Sequence, residues 1–354
     1  MNKLKQLFTS TISKYTRVFG QLALSRGSQG FDLNLKWLIK DLFPLMSFGM
    51  IYGPSGSFKS FLAIDLTCSI ATGLPWNGKR VRKGAVLYIA AEGQLGISRR
   101  IKAWEIANGV QANDVFILGH SLYVAEEHAQ KAAIDAIQEI KTQTGLNVEM
   151  IVIDTLARCY TGDENTATDM AKFIAGCDTI RAATNASVLC IHHSGRDERK
   201  GARGSSALRA ACDYEFQVKR TGKAKLLTFI NTKQKDGDEA PDLTFELDTV
   251  DLGIICEEQL PISSLARTRS ASIKSSKETE KRDPILELLI SSFGGKTTHE
   301  ELRLKLFPDT EKLTDAQRKK FSRSLRELES TGKISIEKSS PKRASGTDVI
   351  NLTH

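Results

Sequence analysis

Apolar and polar positions along this chain change period several times, and the changes mark out its elements. Short apolar runs at 48–52, Ala85–Ala90, Val115–Leu118, 150–153, 188–191, 214–219 and 226–231 read as strands. Between them, apolar residues recur at helical spacing over 60–72, 95–108, 129–144 and 169–184. Strand and helix alternate, which predicts an α/β domain around a mostly parallel sheet. No internal repeat is visible.

The pattern then changes. Residues 262–282, ISSLARTRSASIKSSKETEKR, have no period and read as a Ser/Lys/Arg-rich linker. A helix at Pro284–Phe293 follows. Thr298-x-x-Glu301 is a capping box opening a second helix through Phe307, and Thr314-x-x-Gln317 opens a third through Ser330. Residues 334–338 and 349–353 alternate as a β-pair around the loop SSPKRASGTD. This order resembles a winged helix-turn-helix domain. In the third helix Phe321, Leu325 and Leu328 share one face, while Arg318, Lys319, Arg323 and Arg326 occupy the rest. A helix with one packing and one cationic face suits the major groove of duplex DNA, with Lys342 and Arg343 in the wing tip on flanking phosphates. Docking of a protein is the alternative use of such a domain. At the other end, residues 1–30 suggest an amphipathic helix with Leu4, Phe8, Ile12 and Tyr15 on one side, covering either its own domain or a neighbour. The expected division is an N-terminal amphipathic segment 1–30, an α/β domain 31–261, the linker 262–282 and a winged helix-turn-helix domain 283–354.

The 354 residues are 40% hydrophobic and 26% charged, a globular composition with no run approaching the length of a membrane span. The N-terminus lacks an apolar core or cleavage site for secretion, so a cytoplasmic protein with no membrane partner is expected. Six scattered cysteines have no metal spacing and are expected reduced and packed. Of the net charge of +8, most lies in residues 262–354, which hold 19 Lys/Arg against 13 Asp/Glu. That imbalance favours a polyanionic partner.

The sharpest chemistry is at Gly53-Pro54-Ser55-Gly56-Ser57-Phe58-Lys59-Ser60-Phe61, between a predicted strand and a predicted helix. Backbone N–H groups there can wrap a triphosphate at a helix N-terminus, Lys59 can reach its β and γ oxygens, and Ser60 can ligate Mg²⁺. Phe58 stands where the motif has glycine, so that residue is expected to manage without a positive φ. Asp154 ends the apolar strand at 150–153, as a carboxylate holding Mg²⁺ would. Glu92 closes the strand at Ala85–Ala90 and is the candidate general base for water attacking ATP.

These motifs, with Val188-Leu-Cys-Ile-His-His-Ser-Gly-Arg196 and Arg203-Gly-Ser-Ser-Ala-Leu-Arg-Ala-Ala-Cys-Asp213, resemble the RecA-like ATPases of hexameric replicative helicases, most of all the RepA type of plasmids and phages. The resemblance covers about residues 40–260. It implies that His193 senses the γ-phosphate, with His192 as a less defined neighbour, and that loop 194–206 lines a channel where Lys200 and Arg203 track single-stranded DNA. Loop 159–169 would be the second channel loop, although Asp163 and Glu164 make it acidic. The segment Asn231-Thr-Lys-Gln-Lys235 resembles the one that reaches a neighbour's nucleotide; Lys235 stands where an arginine finger is usual, and Arg209 is its possible substitute. The implied activity is an ATP- and Mg²⁺-dependent, ring-forming homo-oligomeric helicase of a mobile element, working with an initiator or loader. An ATP-gated initiator or DNA-binding switch without unwinding, or a recombinase-like filament former, is the alternative.

Overall fold

The computed structural model describes residues 16–92, 94–195, 201–220, 225–268, 284–308, 314–330, 332–339 and 347–353. The chain divides into two compact units, Met1–Ser275 and Ser276–His354.

The first unit opens with a hairpin of β1 (Thr16–Phe19) and β2 (Leu22–Ser25), then a short pair, β3 (Trp37–Ile39) and β4 (Phe43–Pro44). The alternating series follows: β5 (Phe48–Gly53), α1 (Lys59–Thr72), β6 (Ala85–Ala90), α2 (Gln94–Asn108), β7 (Val115–Leu118), α3 (Glu127–Thr144), β8 (Val148–Asp154), α4 (Ala167–Thr184) and β9 (Ser187–His193). A one-and-a-half-turn α5 (Ser206–Ala211) precedes β10 (Tyr214–Arg220), β11 (Leu226–Gln234) and β12 (Leu243–Glu246).

These strands form one eight-stranded sheet in the order β12-β11-β10-β5-β9-β8-β6-β7. The sheet is mixed, not uniformly parallel. Six strands from β10 to β7 run parallel, whereas β11 is antiparallel to both β10 and β12. The physical reason is the connection: β10 and β11 are joined too closely for a crossover helix, so the chain must return as a hairpin. Of the parallel strands, β5, β6 and β8 are buried throughout, as strands covered on both faces must be, while the edge strand β7 is half-buried. Met150 and Val152 of β8 point to one face, into the cluster with Leu62 and Leu66 of α1 and Trp104 of α2. Ile151 and Ile153 point to the other, against Ile137 of α3 and Phe173 of α4.

A second hairpin, β13 (Asp248–Ile255) with β14 (Pro261–Ala266), covers α2. The start of the segment expected as linker is therefore a strand. Its role becomes plain at Arg267, whose Nε donates to the buried Asp65 Oδ2 of α1 at 2.7 Å. Trp76 Nε1 donates to the same oxygen at 2.7 Å and Trp104 Nε1 to Oδ1 at 2.9 Å. The guanidinium also lies over the rings of Trp76 and Phe245. No local period marks such a residue, because its partners are brought together only by the fold.

In the second unit α6 (Pro284–Phe293), β15 (Lys296–Thr298), α7 (His299–Leu306), α8 (Asp315–Ser330), β16 (Ile334–Glu337) and β17 (Val349–Leu352) enclose their own core of Leu289, Leu302, Phe321, Leu325 and Ile350. Both capping boxes form: Thr298 with Glu301, and Thr314 with Gln317. The strand β15 has no apolar alternation to announce it and exists by pairing with β17.

At the N-terminus the amphipathic-helix residues Leu4, Phe8, Ile12 and Tyr15 lie outside the described residues, while the later part of that segment is the hairpin β1–β2. Among the described residues no helix is long and apolar enough to cross a membrane. All six cysteines are free.

Candidate nucleotide site and its loops

The site lies at the carboxyl ends of β5, β6, β8 and β9, where open α/β sheets bind ligands. Gly53 ends β5 with a backbone so close to β10 that a Cβ there would stand 2.3 Å from the Val218 carbonyl oxygen, so only glycine fits. Phe58 adopts φ 70°, against the expectation from sequence. Left-handed backbone costs a non-glycine residue about 1–2 kcal/mol. Packing opposes that cost: the Phe58 ring meets Phe61 edge-on at 5.9 Å, and the Arg220 guanidinium lies 4.8 Å over it.

Lys59 Nζ donates to the carbonyls of Gly53 at 2.9 Å and Pro54 at 2.7 Å. Burial pushes its ammonium down to about 8, against the pull of the Asp154 and Glu92 carboxylates. A cation held half desolvated on weak partners is poised for a polyanion. Asp154 is buried, and Tyr88 Oη donates to its Oδ2 at 2.6 Å. Burial pushes its carboxyl up, with the Tyr88 and Ser60 hydroxyls opposing. Its other oxygen, Oδ1, is buried without a hydrogen-bond partner, as is the Ser57 hydroxyl. These orphaned oxygens beside Ser60 fit a Mg²⁺–triphosphate, which would be held by Ser60 and Asp154.

A cleft of about 380 Å³ opens between them, lined by Ser60, Glu92, Arg100 and Asp154 among others. Glu92 is exposed at its rim, and Thr155 Oγ1 donates to its Oε1 at 3.1 Å. Sequence reasoning missed three residues here. Tyr88 and Thr155 orient the two carboxylates, and Arg100 of α2 brings a cation into the cleft with its guanidinium 4.4 Å over Phe61. Tyr88 and Thr155 sit inside or next to motif strands; Arg100 carries no signal beyond helical spacing from Glu92.

His193 ends β9 directly beside Gly53. Burial, Lys59 and Arg203 push its imidazole down. The Ser194 N–H donates to the Gly53 carbonyl at 3.1 Å, the oxygen that also receives Lys59 Nζ, so the phosphate loop and the loop after β9 share one acceptor. The base of that loop is closed by a bridge between Ser194 and Ala202 and by the Arg203 N–H on the His193 carbonyl at 2.9 Å. His192 is buried, its Nε2 2.8 Å from the Arg203 carbonyl. Arg203 itself is paired with Glu164, and Lys200 lies outside the described residues.

Both finger candidates are engaged within their own chain. Arg209 Nε lies 3.4 Å from the fully buried Glu215 Oε1, and Lys235 Nζ 3.5 Å from Asp213 Oδ1. In the second unit Arg318, Lys319, Arg323 and Arg326 are exposed on α8, with Arg318 paired to Asp315 at 2.9 Å. Lys342 and Arg343 lie outside the described residues.

A profile of the AAA domain matches residues 19–199, half of the chain. The chain belongs to that family, and so is an ATP-binding protein of the P-loop ATPases. Among solved structures it is similar to the RadB recombinase at 17% identity, with 58% of this chain and 88% of that one covered and a TM-score of 0.42.

Proposed function

We propose that this protein is an ATP-gated DNA-binding ATPase whose nucleotide state sets the position of the loops after β8 and β9. The supporting observation is the shared Gly53 carbonyl: whatever draws Lys59 toward a triphosphate changes the hydrogen bonding of Ser194, and through it the base of loop 194–206. Glu92, oriented by Thr155, takes a proton from the attacking water, and Lys59 offsets the charge on the β and γ oxygens. Mg²⁺, when bound, supplies counter-charge to the triphosphate. His193 stands where a γ-phosphate would be read. Single-stranded DNA contacts the loops through Lys200 and Arg203, and the cationic face of α8 contacts duplex. This is the switch or recombinase-like reading, in homo-oligomers formed on DNA.

The ring helicase of the RepA type is the second reading, favoured by the Arg203-Gly-Ser-Ser-Ala-Leu-Arg stretch. Its finger candidates, Arg209 and Lys235, lie 3.4 and 3.5 Å from carboxylates of their own chain on side chains more than half exposed, so a neighbour's nucleotide would have to displace those pairs. The deciding experiment measures ATP turnover with and without single-stranded DNA, strand displacement on a forked duplex, and particle shape with ATP. The switch reading expects ATP-dependent binding and stimulated turnover without displacement. Processive displacement by closed rings would replace it with the motor.

A further inference from the structure

The loop after β8 and the loop after β9 meet at one contact. Arg203 Nε donates to Glu164 Oε2 at 2.8 Å and its Nη2 to Oε1 at 3.0 Å, so both carboxylate oxygens are used by one planar fork. The main chains are joined as well. The Ser205 N–H donates to the Glu164 carbonyl at 2.7 Å, and Gly204, at φ 90°, passes so near that a Cβ would lie 2.6 Å from that oxygen. Glu164 is thus held on a site shaped to it. Its side chain is 16% exposed, while that of Arg203 is 46% exposed and within reach of solvent ligands. Beside the pair is a cavity of about 160 Å³ that Arg209 and Ser206 also line.

A guanidinium fork accepts a carboxylate and a phosphodiester in the same planar geometry. We propose that Glu164 is an internal competitor for nucleic-acid phosphate: its carboxylate occupies the Arg203 fork, and a single strand's phosphodiester enters only as Glu164 leaves, releasing the loop after β8. The idea rests on the reading that loop 194–206 contacts DNA. It explains why an acidic residue stands in a loop facing a polyanion. The exchange replaces one charge-assisted pair by another, so the contact is a gate and not a block. Because Arg203 is tied to His192 and His193 through its own backbone, the exchange is reported to the nucleotide end of the sheet.

The test uses the full chain and a labelled poly-dT strand, with affinity read by fluorescence anisotropy. Glu164→Gln should tighten binding about fivefold or more, the range of a modest coupling between two states. Arg203→Gln should weaken it, and Glu164→Gln should give no gain in the Arg203→Gln background. Asp163→Asn removes the same charge from the same loop without touching the fork, and should change affinity by less than about twofold. Equal gains from Asp163→Asn and Glu164→Gln would overturn the competition in favour of bulk charge. An unchanged or weaker Glu164→Gln, with Arg203→Gln still weakened, would also overturn it while leaving the DNA-contact reading intact. If neither substitution matters, that reading fails and the competition with it. Hydrogen exchange on the unsubstituted chain decides the matter should Glu164→Gln fold poorly. Adding poly-dT should reduce protection at Ser205 and over residues 159–166, and retained protection there would refute the displacement.

Discussion

Two buried aspartates in the first unit make opposite use of burial. Asp65, on the buried face of α1, has donors on both oxygens from Trp76, Trp104 and Arg267. Asp154, at the end of β8, has Tyr88 on one oxygen and nothing on the other. A buried carboxylate whose acceptors are filled holds elements together, whereas one left short has been desolvated without compensation and gains when a cation arrives. The difference separates the clasp of the fold from its site: the strand-end position of Asp154 announces it in the sequence, whereas Asp65 sits inside a helix with nothing local to mark it.

The largest effects expected from that contrast are on turnover. Asp154→Asn and Lys59→Ala should each lower ATP hydrolysis by about 10²–10³-fold, the usual loss for a missing charge partner of a reacting phosphate. Asp154→Asn should nevertheless leave the melting temperature unchanged or raised, because it removes a desolvated charge. Glu92→Gln should keep ATP bound and fail to turn it over. Phosphate release, binding of a fluorescent ATP analogue and thermal denaturation measure all three; a marked loss of stability in Asp154→Asn would erase the contrast.

Next come the clasp residues. Arg267→Ala leaves Asp65 with only its indole partners, and should cost about 3 kcal/mol in urea unfolding with the nucleotide affinity of the remaining folded protein little changed. For the same reason a chain ending at 261 should be unstable, while one ending at 268 should keep its ATPase fold. Equal stability of the two would mean that the Arg267 contact contributes nothing.

A smaller effect is expected at Arg100. It faces the cleft from α2, so Arg100→Ala should reduce turnover about tenfold with Arg100→Lys intermediate, since lysine keeps the charge but not the planar stacking on Phe61. Unchanged turnover in Arg100→Ala would leave it a packing residue.

The smallest concerns protons. Lys59 is held down to about 8 from 10.5 in the nucleotide-free chain, and a bound triphosphate favours its charged form. At about pH 8.5, ATP binding should therefore take up a fraction of a proton, vanishing below about pH 7. Calorimetry in two buffers of different ionisation enthalpy measures it. Without nucleotide the sign for stability is equally fixed: the unfolded chain binds more protons between about 8 and 10.5, so this group's penalty fades as pH rises through that window. Proton release on binding would contradict the assignment.

Much of this was legible in the residues alone. The strands from β5 to β11, the helices α1 to α4 and the phosphate loop follow from patterns that repeat within a few positions, where burial on one face or two fixes the period. The residues from Gly53 to Ser60 sit together because a strand, a turn and a helix N-terminus follow one another directly in the chain, although the backbone of Gly53 and Phe58 also answers to β10. What the tertiary structure decided is longer in range. The Arg203–Glu164 fork joins residues 39 apart and the Arg267–Asp65 clasp residues 202 apart. Neither spacing has a period, and both pairings depend on strand order. Phe58 takes a left-handed backbone because aromatic and cationic neighbours from α1 and β10 hold its ring, and strand 261–266 forms because β13 lies beside it. Local sequence sets which backbone states are cheap; the partners that justify an expensive state, a buried charge or an unpatterned strand exist only after the sheet has closed.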